Sequence, residues 1–264
     1  MKTHDLKQVA REAGADLVGI APTDRWADWP TARNPRTIMP ACRSVIVIGR
    51  RVLRGSFRGI EEGTNFSSTY NHYGLLWNES LFLARTVHQT ACVIEAAGRE
   101  AMPLFGGASA KAEVQLDTKA LAHAAGLGSV GKGGFFLTRQ YGHRQRFALI
   151  LTDLELEGDP VDDLDFCKDC DACLKACPLQ ALSDKGGEVY AIDTQLCQQC
   201  ANGKMQTFDY AYERLDRLAA SCGRACLVAL ENRIGNRFGT PFRRRSVWTR
   251  DLEGRCTVHP LDTK

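Results

Sequence analysis

The sequence predicts an α/β (α+β) body followed by a cysteine-rich, metal-bearing unit, and three observations carry that architecture. Apolar runs of strand length alternate with helix-length amphipathic segments up to about residue 157. Nine of the eleven cysteines lie after position 166, with only Cys42 and Cys92 before it. Between the two stretches stands Glu157-Gly158-Asp159-Pro160-Val161-Asp162-Asp163, rich in turn formers and acids, which reads as a connector. The division is therefore 1–157 for the body and 158–264 for the cysteine unit, which ends in a helical tail.

Within the body, residues 4–13 place Leu6, Val9 and Ala10 at helical spacing. Leu17-Val18-Gly19-Ile20 is a short buried strand ended by Pro22. Ser44-Val45-Ile46-Val47-Ile48-Gly49 is an unbroken apolar run bounded by turn signals, the pattern of a strand covered on both faces. Residues 73–97 read as one long helix, with Leu76, Leu81, Ala84, Val87, Cys92 and Ile94 near one side. Glu113 to Ala125 reads as a further helix stopped by Gly126. Residues 135–138 and 146–152 read as two strands joined by a turn at Tyr141-Gly142-His143. Cys42 and Cys92 sit among apolar neighbours and are expected to be inert, buried thiols.

Composition narrows the class. At 44% apolar and 25% charged residues the chain is ordinary for a globular protein. No apolar run approaches the ~20 residues of a membrane span. The charged, amphipathic start (MKTHDLKQVAREAG) lacks the apolar core of a signal peptide, so a cytoplasmic protein is expected. Thirty-four basic residues against 31 acidic give a net charge of +3, which selects no polyanionic partner, and nucleic acid is not expected. A reducing compartment has no use for eleven cysteines as disulfides, which leaves metal.

Cys167-x2-Cys170-x2-Cys173-x3-Cys177-Pro178 is the bacterial ferredoxin run. Three closely spaced thiolates wrap three corners of a 4Fe–4S cubane, and the fourth cysteine, before proline, serves another cluster. Zinc more often pairs two C-x2-C knuckles. Downstream lie Cys197-x2-Cys200 and Cys222-x3-Cys226, so eight cysteines are available for two clusters and Cys256 is left over. The assignment is Cys167, Cys170 and Cys173 plus one of Cys222 and Cys226 on the first cluster. Cys177, Cys197 and Cys200 with the remaining one hold the second. The alternative is one cluster on the first run and a separate site on the later pairs. Each oxidised cluster with its thiolates carries about −2, which brings the loaded protein to about −1. Arg243-Arg244-Arg245 therefore reads as a solvated face or an acidic docking surface rather than a phosphate reader.

Gly126-Leu127-Gly128-Ser129-Val130-Gly131-Lys132-Gly133-Gly134 contains both G-x-G-x-x-G and G-x-x-x-x-G-K. A dinucleotide site needs a strand before the loop and a helix after it, and here the order is reversed. A phosphate loop needs Ser or Thr after the lysine, and position 133 is glycine. What remains is a backbone able to approach something flat or bulky and to offer N–H groups, or a plain helix cap and turn.

His123-Ala-Ala-Gly126-Leu-Gly128-Ser-Val-Gly131-Lys132 resembles the A-G-L-G-x-I-G-K stretch of the epoxyqueuosine reductase family. Arg36 to Gly49 resembles that family's upstream loop and strand, and Thr152-Asp153-Leu154 before the cysteine run reproduces its order. The likeness covers most of residues 1–180 and is shared with reductive dehalogenases. It implies a nitroreductase-like cofactor domain followed by a ferredoxin-like domain with two 4Fe–4S clusters. It also implies cobalamin as cofactor, where the residues alone would equally admit FMN, and reduced ferredoxin or flavodoxin as electron donor. Ser129 stands where the family's loop has tryptophan, no proline follows Cys226, and the helical repeat domain that helps hold transfer RNA is missing. The expectation is a shorter relative acting on a different, small substrate.

Loop residues Gly126, Gly128, Ser129, Gly131 and Lys132 are the candidate cofactor contacts. A reductive step needs a proton donor near the leaving group. Tyr70 and His72 open the long helix where the resembling family has a tyrosine–histidine pair, and Glu113 and Asp117 would share one face of the next helix. The competing readings are a carrier that delivers electrons to a partner enzyme without a substrate pocket, and an epoxyqueuosine reductase-like activity on transfer RNA.

Overall fold

The apolar runs find one another across a four-stranded antiparallel sheet. In this computed structural model, which describes residues 1–105, 114–200, 205–206, 212–213, 215–243, 245–250 and 256–260, α1 (Thr3–Glu12) leads into β1 (Leu17–Pro22). The short helix α2 (Pro35–Ile38) precedes β2 (Ser44–Arg51), and the turn α3 (Arg58–Glu61) leads to α4 (Ala84–Ala96) and β3 (Ala101–Leu104). Then come α5 (Thr118–Ala124), the small hairpin β4 (Ser129–Val130) and β5 (Phe136–Leu137), and β6 (Gln145–Thr152). The sheet order is β1-β2-β6-β3, and its registers pair Val18 with Ile48 and Ile46 with Ile150. Every ladder is antiparallel, so the body is α+β.

Both faces of the sheet are covered, as the unbroken run predicts. Ile20, Ile46, Ile48, Ala148 and Ile150 pack against Leu6, Ala10, Leu83, Val87 and Ile94 on one side. Val45, Val47, Phe147, Leu149 and Leu151 pack against Trp26, Cys42, Leu121 and Phe136 on the other. Period-2 alternation sends successive residues to opposite layers, and both layers are protein.

Several expectations need correction. The long helix begins at Ser67, not at 73, and winds in the wide i→i+5 form through Ser67–Leu76 and Asn78–Leu83 before tightening into α4. Leu81, in the wide-wound stretch, is exposed, while Leu83 and, in α4, Val87, Ala91 and Ile94 pack toward the sheet; Cys92, off that stripe, is exposed. Cys92 is therefore not a buried thiol, whereas Cys42 is, and burial pushes it up to about 11. The helix expected from Glu113 starts at Thr118, because the Asp117 carboxylate caps it by accepting from Lys119 N and Ala120 N, each at 3.0 Å. Residues 136–137 pair with β4 and not with β6. The four-residue edge strand β3 carries Pro103, which hid it from a propensity reading.

After the body come α6 (Ala172–Lys175), the strand pair β7 (Leu182–Ser183) and β8 (Ala191–Ile192), α7 (Thr194–Gln198) and α8 (Ser221–Leu230). The connector docks on the body: Asp159 pairs with Lys7, accepts from Ile20 N at 3.1 Å, and its carbonyl accepts from Arg25. One core joins the two stretches, with Val52, Phe57, Tyr70, Phe135 and Leu137 packed against Leu218, Leu227, Ile234 and Phe242. Arg245 is spent inside the molecule, on Glu61 through its backbone N–H and on Glu62 through its side chain. No helix among the described residues is long and apolar enough to cross a membrane.

Candidate functional site

One pocket is lined by Cys177, Cys197, Cys200 and Cys222, the last of them on α8. Cys222 and Cys226 lie one helical turn apart on it. Burial pushes the Cys226 thiol well above its ordinary value, and Cys173, Cys167 and Cys170 push it further. Burial raises Cys222 to about 12, with Cys197, Cys177 and Cys200 adding to the rise and Arg217 opposing it. Such charge effects weaken with distance: the thiols of the first run act most on Cys226 and Cys222 acts least, while Cys222 shares a pocket with Cys177, Cys197 and Cys200. The first group is Cys167, Cys170, Cys173 and Cys226; the second is Cys177, Cys197, Cys200 and Cys222. All eight thiols are free of disulfides.

Among the described residues no three His, Cys, Asp or Glu side chains converge on a point a single metal ion could occupy. A tetrahedral zinc would draw its sulfurs to about 3.8 Å of one another. A cubane gives each thiolate its own iron corner and so takes a wider cage. The second group lines an enclosed pocket together with Pro178, Ser221 and Arg217. Two sets of four thiols in this arrangement fit two clusters. With Cys173 held up at about 11 and Cys222 at about 12, these sulfurs bind metal as thiolates only by giving up their protons to solvent.

The glycine loop lies against the first cage. Gly126, at φ +73°, ends α5 in the left-handed conformation, and Gly128, at φ +150°, approaches the Leu137 carbonyl too closely for any side chain. A Cβ on Gly131 would stand 2.8 Å from Cys167 Sγ, and one on Gly133 would stand 2.8 Å from Cys173 Sγ. The Lys132 backbone partly offsets the rise that burial gives the Cys167 thiol. The Lys132 carbonyl accepts from Tyr190 N at 2.7 Å, and its ammonium reaches Lys168 O at 3.4 Å. Ser129 Oγ accepts from Leu164 N at 3.2 Å. The close approach that these glycines permit is thus to the chain's own cysteines and connector. Val130 is the exposed point of the loop.

Tyr70 is fully buried, and its hydroxyl donates to Asp216 Oδ2 at 2.7 Å. Arg146 organises the surroundings: one nitrogen donates to both Tyr70 Oη and Asp216 Oδ2 at 2.9 Å, another to Glu79 Oε1 at 2.9 Å, and Nε to Gly74 O at 2.8 Å. Burial, reinforced by Asp216, keeps the phenol protonated far above its ordinary range. Burial also raises the Glu79 carboxyl, against the pull of Arg146. His72 lies outside this network, with Nδ1 on Ser67 O and its ring edge-on to Trp77 at 5.0 Å. Asp117 is an exposed helix cap, and Glu113 lies outside the described residues. Glu79, Arg146, Asp216 and Arg217 were not foreseen. The one signal for them was Asp216-Arg217 standing just ahead of the cysteine helix.

Comparison with known proteins gives two kinds of relative. A tetrachloroethene reductive dehalogenase of Desulfitobacterium hafniense is 26% identical over 97% of this chain and 50% of its own. An epoxyqueuosine reductase of Gloeobacter violaceus is 30% identical over 73% of this chain and 56% of its own. This chain therefore spans about half the length of the curated relatives it matches. Among solved structures, a reductive dehalogenase described in connection with B12-dependent dehalogenation superposes with TM-score 0.60 and 20% identity, covering 85% of this chain and 31% of that one. An epoxyqueuosine reductase crystal structure gives 0.51 and 19%, covering 74% and 56%. These likenesses establish the fold. No family model matches the chain.

Proposed function

We propose that this chain is an iron–sulfur oxidoreductase that carries two 4Fe–4S clusters and a corrinoid and reduces a small substrate. The observation that carries the reading is the pocket lined by Cys177, Cys197, Cys200 and Cys222, with the loop at 131–133 laid against Cys167 and Cys173. Relatives named as reductases of both kinds support it. When bound, the clusters supply single electrons at low potential and the corrinoid supplies the metal at which the substrate is reduced.

The chain's own residues have three tasks. The two cysteine sets hold the iron and keep it from solvent, since Cys173, Cys197, Cys222 and Cys226 are all buried. The 129–134 loop covers the first cage, with Gly131 against Cys167 and Gly133 against Cys173. Tyr70 holds a proton on Oη, oriented by Asp216 and Arg146, in the packed core that it shares with Cys173, Cys222 and Cys226. Reduced ferredoxin or flavodoxin is the proposed donor, and the corrinoid is proposed to lie along Ser129, Val130 and Lys132.

The test is anaerobic reconstitution with iron and sulfide, an iron count, and then the cobalt EPR spectrum on adding cobalamin. About eight irons per chain with a perturbed cobalt spectrum is the expected result. An unperturbed spectrum with full iron redirects the cofactor to FMN or to a partner enzyme. About four irons overturns the two-cluster reading.

A further inference from the structure

We infer that Arg217 is the counter-ion of the second cluster and sets that cluster's reduction potential; this rests on the two-cluster reading and deepens it. Arg217 is 7% exposed. Its Nη2 donates to Gly133 O at 2.9 Å, and its guanidinium lies over the Phe135 ring at 4.6 Å. Its Nη1 is buried and has no hydrogen-bond partner among the described residues. Nor do the ion pairs among those residues include it: the carboxylate beside it in the chain, Asp216, is committed to Arg146 and Tyr70. A buried cation without an anion is strongly unfavourable, so such groups are found paired.

The place where Arg217 lacks an anion is the wall of the second cysteine pocket. The same pocket is lined by Cys177, Cys197, Cys200 and Cys222. A cluster with four thiolates brings a net charge of about −2 when oxidised and about −3 when reduced. The guanidinium therefore stabilises the reduced form more than the oxidised one and raises the midpoint potential. Its other nitrogen holds the Gly133 carbonyl, one residue past Lys132 on the loop covering the first cage. One side chain thus spans the wall between the two cages.

The experiment compares the full chain with Arg217→Gln and Arg217→Lys, loaded anaerobically, by iron count and EPR-monitored redox titration. Thermal unfolding is followed with and without iron. The second cluster's signal is identified as the one lost in Cys222→Ser. Arg217→Gln is expected to move that midpoint to more negative potential and leave the other in place, with Arg217→Lys recovering most of the shift. Without iron, Arg217→Gln is expected to unfold no earlier than the unsubstituted chain, because it removes an uncompensated charge; loaded with iron, it unfolds earlier. Loss of iron confined to the second cluster would also support the assignment. Unchanged midpoints with full iron would overturn it, as would equal destabilisation of the loaded and iron-free forms, the mark of a packing residue. About four irons in the unsubstituted chain would instead remove the reading on which the assignment rests.

Discussion

Replacing Arg146 by methionine tests the buried network most directly. The guanidinium is fully buried and makes four hydrogen bonds, three of them to Glu79, Asp216 and Tyr70, while Glu79 is 5% and Asp216 0% exposed. Methionine fills much of the volume but leaves two carboxylates and a phenol without their donor. Breaking a buried pair from one side costs about 3–5 kcal/mol, a large share of the roughly 5–15 kcal/mol that stabilises a folded domain. At roughly 2–4 °C per kcal/mol for a chain of this size, Tm should fall by about 6–20 °C. Arg146→Lys, which keeps the charge and loses the planar fork, should fall between. The pH dependence follows from Glu79. Burial raises its folded pKa above the unfolded value, so its contribution is present below the unfolded pKa and is lost as pH rises through the folded one. Without Arg146 that rise is larger, so the variant's deficit should be smaller at pH 5.5 than at pH 8. A fall of under about 3 °C, or a deficit equal at both pH values, would refute the argument that the charges are mutually dependent.

Gly133→Ala and Gly131→Ala should lower iron content by about half, because the new methyl meets Cys173 or Cys167 at the first cage, while Gly55→Ala, with open space around it, should not; inductively coupled plasma analysis of reconstituted protein decides. Cys226→Ser and Cys222→Ser should each abolish a different EPR signal, and loss of the same signal in both would undo the sorting across α8. Burial lowers His143 from 6.5 to about 4, so its contribution to stability is present above pH 6.5 and is lost as pH falls toward 4. His143→Gln should flatten that acid limb in urea titrations. In native protein, iodoacetamide should modify exposed Cys92 within minutes and leave buried Cys42 untouched until unfolding, a contrast that peptide mapping reads.

The central strands were legible because both faces of the sheet are covered, which writes an uninterrupted apolar run at 44–49 and again at 147–151. The cysteine spacings were legible because thiolate geometry permits few of them. The placing of Cys222 was not: residues four apart on a helix point to adjacent places on one face, and only the folded chain brings Cys222 into the pocket of Cys177, Cys197 and Cys200. The helix preceding α4 was placed late because i→i+5 winding defeats a 3.6-residue template. Asp117 looked like half of an acidic pair because the spacing 113–117 presupposes the helix that it in fact begins. Arg146 was read as the polar start of a strand. Its partners lie 67 and 70 residues away in sequence, a distance at which no local pattern reaches.

Strand β6 lies between β2 and β3 although it is made after both, so the sheet closes only when residue 152 has left the ribosome. The apolar floor formed by Val52, Phe57, Tyr70 and Leu137 waits longer still, until Leu218, Leu227 and Phe242 arrive to cover it. During that interval the nascent chain carries an open, sticky surface beside the first cysteine run. Under the proposed two-cluster reading, iron supply then governs how much protein survives synthesis. In a cell short of iron or sulfide, scarcity should appear first as aggregated or degraded chain, before any deficit in turnover.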